Sequence, residues 1–100
     1  MNIRIIGIDE HGWHEVNQIF STLKDFEFIK DVEIRQFQDI DFTWNEVLNI
    51  YDVTIEIKPD RDDVSIHIFD NSIYIVGCVG GYNEAIVHID RSAYERLEII

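Results

Sequence analysis

The stretch from Asp52 to Val79 constrains the fold of this chain more than any other, because it holds three alternating apolar runs joined by two recognisable turns. In Val53-Thr54-Ile55-Glu56-Ile57, Val64-Ser65-Ile66-His67-Ile68 and Ile73-Tyr74-Ile75 every second residue is aliphatic, the pattern of strands with one buried face. A slip of one residue would turn each isoleucine outward, so burial of that face sets the register. A two-residue turn at Asp70-Asn71 places Ile68 opposite Ile73 and Ile66 opposite Ile75. By the same logic a loop at Pro59-Asp60-Arg61-Asp62 sets Ile57 opposite Val64 and Lys58 opposite Asp63, giving a three-stranded antiparallel meander. On its other face Thr54, His67 and Tyr74 make one row and Glu56, Ser65 and Val76 the next, a polar and aromatic surface of the wetted kind.

Upstream, Asn2 to Ile8 is apolar apart from Arg4 and reads as a central strand closed by Gly7 and Asp9-Glu10-His11-Gly12. Trp13, Val16, Ile19, Phe20 and Leu23 have helical spacing, so a helix runs from about 13 to 24, with Glu15 early and Lys24 late to suit its dipole. Phe26, Phe28 and Ile29 are core contacts at the helix exit, and Val32 to Gln38 is a strand with Val32 and Ile34 inward. Thr43 followed by Glu46 is a capping-box pattern, which predicts a short helix from Trp44 to about Ile50. Gly80-Gly81-Tyr82-Asn83 is a turn; Ile86, Val87 and Ile89 favour a strand at 85 to 89, although Ile86, Ile89, Ala93 and Leu97 also fit a helical stripe; and Ser92 with Glu95 starts a terminal helix from 93 onward. The class is α+β: a mostly antiparallel sheet of about five strands with one long helix on its isoleucine face and one or two short helices.

One hundred residues, 46% of them hydrophobic, suffice for one core, so residues 1–100 are expected to form a single compact domain. The chain has neither an apolar run long enough to span a membrane nor a cleavable leader pattern at Met1 to Ile8, and a cytoplasmic protein is expected. The one cysteine, Cys78, has no partner for an internal disulfide and no cationic neighbour to activate it, and reads as a buried small hydrophobe.

Charge narrows the function. Eight basic residues against twenty acidic give a net charge of -12, which disfavours direct binding to nucleic acid or anionic membrane. Between Gln36 and Ile57 there is no Lys or Arg, and this span contains Asp39, Asp41, Glu46, Asp52 and Glu56 beside Phe37, Phe42, Trp44 and Tyr51. Aromatic anchors rimmed by charge are the material of protein interfaces, although some of these rings are also needed to plug the core. Asp39, Asp41, Phe42, Trp44, Glu46, Asp52, Glu56 and Tyr74 are therefore the candidate partner-binding residues.

Candidate chemistry is sparse. His11 and His14, three apart with Glu15 beside them, could turn towards one metal ion from a helix, but acids near a helix start are more simply dipole partners. His67 with Tyr74 and Glu56 offers an acid or base without the walls of a pocket, and His88 lies on an apolar segment. No catalytic residue and no cofactor is assigned. The leading expectation is a non-enzymatic acidic inhibitor whose carboxylates stand in for phosphates on a basic, nucleic-acid-acting protein such as a nuclease. A toxin-immunity protein or a phage anti-defence protein of the anti-CRISPR kind would be of this type, as monomer or homodimer. The alternatives are a small metal-binding domain or enzyme using His11, His14 and Glu15, and an assembly subunit that pairs through its sheet.

Overall fold

The structure, a computed structural model, describes residues 1–41, 46–59, 63–69 and 72–100, and of Ile40, Asp41 and Val79 the backbone only. It is α+β, and the described residues form seven strands in two antiparallel sheets and one α-helix. In order these are β1 (Asn2–Asp9), α1 (Glu10–Leu23), β2 (Ile29–Asp41), β3 (Glu46–Ile57), β4 (Val64–Phe69), β5 (Ser72–Val79), β6 (Tyr82–Asp90) and β7 (Arg96–Ile99), with a 3-10 turn at Arg91–Ala93 before β7. One sheet has the order β2-β3-β1-β7 and the other β4-β5-β6.

The alternating runs are all strands, but they do not form one meander. Between β4 and β5 the register is the expected one, with Ile68 opposite Ile73, His67 opposite Tyr74 and Ile66 opposite Ile75. The expected pairing of Ile57 with Val64 is absent: β3 lies between β1 and β2, so the connection at 58–63 passes from one sheet to the other. The expected Lys58–Asp63 cross-strand pair is lost with it, and the Lys58 N–H bonds instead to the carbonyl of Phe28. Thr54 and Glu56 accordingly leave the rows predicted for them, and His88 takes the place beside Tyr74.

Two predicted helices are replaced by strand. The expected helix from Trp44 to Ile50 is contradicted over Glu46–Ile50, which begin β3; Trp44 lies outside the described residues. A capping box contributes about 1 kcal/mol locally, whereas pairing along β2 adds a ladder of bonds and neighbours for β-formers such as Val47, Ile50 and Tyr51. The expected terminal helix from 93 is also contradicted: Arg96–Ile99 pair with Ile3–Ile6, and the Glu95 N–H reaches the carbonyl of Ile6. So short a segment gains more from an open sheet edge than from a helix whose first turn is costly to nucleate.

The long helix begins at Glu10, three residues before the expected start. Asp9 caps it, accepting from the Gly12 N–H at 2.6 Å. Gly12 is tolerated in the first turn, where the sequence suggested a break, because helix and 3-10 turn approach closely: a Cβ there would stand 2.8 Å from the carbonyl oxygen of Ala93. Val16, Phe20 and Leu23 carry the buried stripe, with Trp13 and Ile19 half-buried beside it. The helix meets β1, β2 and β3 of one sheet and β6 of the other, so both sheets share it.

The buried side chains form one cluster. Ile3, Ile5, Ile8, Val53, Ile55 and Ile57 come from the four-stranded sheet, and Val64, Ile73, Ile75, Val87 and Ile89 from the other. Phe28 and Ile29 are buried as expected, and the Phe28 ring lies against Gly77 of β5 where any side chain would collide with it. Cys78, expected to be buried, is exposed: alternation turns it away from the core face that holds Ile73 and Ile75. Among the described residues no helix is long and apolar enough to cross a membrane.

Candidate partner-binding arm

Strands β2 and β3 form a ribbon that outruns the sheet it belongs to. Strand β1 pairs with β3 only from Glu56 to Ile50, while β2 continues opposite β3 through Gln38, Asp39, Ile40 and Asp41. The molecule measures 51 × 26 × 23 Å. Thirteen residues of strand span about 43 Å, so β2 runs along the long dimension. Beyond the pair Asp9–Ile50 the ribbon is a two-stranded arm built from Phe37–Asp41 and Glu46–Ile50.

The helix N-terminus closes the arm's root. Trp13 stacks on Tyr51 with ring centroids 4.4 Å apart and planes 9° from parallel, so Tyr51 plugs the body. A polar chain continues outward: Gln36 donates to Asn49 at 3.1 Å, and Asn49 donates to Glu10 at 3.2 Å. Past that point the helix no longer covers the ribbon, and Val47 on this inner face is 57% exposed.

The outer face carries the candidate site. Opposed residues of an antiparallel pair share a face, so Phe37 with Ile50 and Asp39 with Leu48 line this side, and Glu46 follows two residues from Leu48. Phe37 is 41% and Leu48 39% exposed, and Asp39 and Glu46 are exposed. At the root, Arg35 lies over the Phe37 ring at 5.2 Å and is registered opposite Asp52. Outward of Arg35 the arm has no cation.

The structure thus brings Asp39 and Glu46 onto one face, registers the Asp41 backbone opposite Glu46, and places the remaining expected residues elsewhere. Asp52 is half-buried and accepts from the Gly7 N–H at 3.1 Å, holding the β1 irregularity that lies between Ile5 and Ile8. Glu56 pairs with Lys30 at 3.3 Å. Tyr74 belongs to the other sheet, and Phe42 and Trp44 lie outside the described residues. Leu48 and Ile50 were overlooked because a helical reading of 44–50 hides them; read with period two, Glu46-Leu48-Ile50 mirrors Phe37-Asp39-Asp41.

The open face of the small sheet holds a different cluster. Tyr74 stacks on His88 at 4.4 Å and meets Phe69 edge-on at 5.6 Å, while His67 stacks on Phe69 at 6.2 Å and bonds Ser65 at 2.9 Å. Ser72, His88 and Asp90 resemble a catalytic triad in composition only. The Ser72 hydroxyl, at 3.3 Å, and the Asp90 carboxylate, at 3.5 Å, meet the same ring nitrogen, Nε2, and Ser72 donates to Asp90 at 3.1 Å. A relay needs the acid and the nucleophile on opposite nitrogens. His11 contacts Glu15 at 3.6 Å on the exposed side of α1. Among the described residues no group of three or more His, Cys, Asp or Glu is placed to hold a metal ion, and no enclosed pocket forms.

Two of the described ionisable groups are displaced from their ordinary behaviour. Asp31 is lowered, first by the hydrogen bond from Lys24 at 3.2 Å and then by the Val32 N–H. Tyr94 is raised by burial against the core, with the nearby Arg91 opposing. Neither lies on the arm. Comparison with protein-family models, with curated proteins and with solved structures finds no match to this chain.

Proposed function

We propose that this chain is a non-enzymatic binding protein that neutralises a basic partner, itself a protein acting on nucleic acid, by laying its acidic arm in the groove where that partner holds phosphates. The supporting observation is the arm's outer face, where Phe37, Leu48 and Ile50 are apolar anchors and the exposed carboxylates Asp39 and Glu46 lie beside them. Anchors of this kind supply contact area, and the surrounding carboxylates steer a cationic surface to them and repel others. Carboxylates at strand spacing replace phosphates as acceptors for Arg and Lys. Two kinds of protein fit: an immunity protein that blocks a toxic nuclease, and a phage-encoded inhibitor of a host defence nuclease, of the anti-CRISPR kind.

The test is affinity capture from host-cell extract with the wild-type chain and with an Asp39→Lys, Glu46→Lys variant. The expected result is a basic nucleic-acid-binding protein on the wild-type chain only, displaced by added DNA or RNA. It should also be released as salt rises towards 1 M, where the screening length falls to about 3 Å. A captured protein that the variant retains, or that nucleic acid fails to displace, would overturn the proposal.

A further inference from the structure

The two sheets have four edges, and three of them carry charge. Strand β2 displays Lys30, Asp31, Glu33, Arg35, Asp39 and Asp41 along its length, β7 is four residues long with Arg96 and Glu98, and β6 holds Glu84 and Asp90. Charges and short length are how edge strands are kept from pairing with other chains. The fourth edge, β4, reads Val-Ser-Ile-His-Ile-Phe: no Asp, Glu, Lys, Arg, Pro or Gly occurs in it. Among the described residues it pairs with β5 alone, and its Ile68 and Phe69 are 58% and 61% exposed.

From this geometry we infer that β4 is a self-association edge, pairing antiparallel with β4 of a second copy to join two three-stranded sheets into one of six. Two features select a second copy as the occupant. A chain of net charge -12 repels its own kind except where its surface is neutral, and β4 with the adjoining β5 is the neutral part of the sheet framework. The strand is also complementary to itself. A two-fold axis through Ile66 sets Val64 against Ile68 and Ser65 against His67, so apolar meets apolar and polar meets polar on each face. An axis through His67 sets Ile66 against Ile68 and also keeps both cores on one side. This association is independent of the arm and stands or fails without it.

Sedimentation equilibrium of the full chain, from micromolar to a few hundred micromolar, reads the association directly. The expected mass rises to twice that of the 11.8 kDa chain. Ile68→Lys, at an exposed position, should weaken the dimer at least tenfold while leaving the circular dichroism of the monomer unchanged. Cysteine placed at the two-fold faces its own copy with Cα atoms about 4.5–5.5 Å apart, within disulfide reach. In a Cys78→Ser background, Ile66→Cys or His67→Cys should therefore oxidise to a covalent dimer. A chain that stays monomeric throughout, an open-ended series of larger species, or crosslinking through His88→Cys on β6 with none at 66 or 67 would each overturn the inference.

Discussion

The two ends of the β2–β3 ribbon share one hairpin and one register yet have opposite surroundings. At the base, Val32, Val53 and Ile55 are buried because β1 lies alongside and the helix closes over the face. On the arm, Val47 of that same face is 57% exposed because β1 ends opposite Ile50 and nothing of the helix extends further. The same strands therefore support the fold at one end and present side chains at the other. Burial in a ribbon is decided by which neighbours reach it, and its own pattern of residues does not decide it.

The comparison can be broken by substitution. Ile55→Ala at the base should cost about 2–5 kcal/mol in denaturant unfolding, because a buried aliphatic side chain is lost with little collapse around it. Gly77→Ala, which drives a methyl group into the Phe28 ring, should cost about 1–3 kcal/mol in the same assay. Asp9→Ala removes the cap of the helix that closes the arm's root and should cost about 0.5–2 kcal/mol. Leu48→Ala on the arm should change stability by less than about 0.5 kcal/mol. If Leu48→Ala proved as costly as Ile55→Ala, the arm would be part of the load-carrying sheet and the contrast would be gone.

The smallest effect concerns acid. Asp31 is held below the ordinary carboxylate range by Lys24, so the pair's contribution is present above that range and fades as pH falls through the lowered value. Both side chains are exposed, so the effect should be slight and should shrink further with salt. Thermal melts of wild type and Asp31→Asn should differ most at neutral pH and low salt, and converge in acid.

Much of this layout was legible in the residues. The β4–β5 register followed from aliphatic alternation because a hairpin is a local object, and the helix stripe from Trp13 to Leu23 followed from spacing. Partner choice for β3 was not legible, since a loop such as 58–63 has the same turn chemistry whether it closes a hairpin or crosses between sheets. The helices expected near 44–50 and after 93 failed for a related reason: capping residues are read locally, while β3 and β7 are stabilised by strands distant in sequence. At the candidate site the acids and Phe37 were visible as composition, but the face that unites them with Leu48 and Ile50 needed the register.

Hydrogen exchange of the free chain and of its complex with the captured basic protein tests the arm's role most directly. The account predicts that Phe37–Asp41 and Glu46–Ile50 exchange readily in the free chain and gain protection in the complex, while the base of the ribbon is protected in both. Protection gained on other strands, with the arm unchanged by the partner, would contradict it.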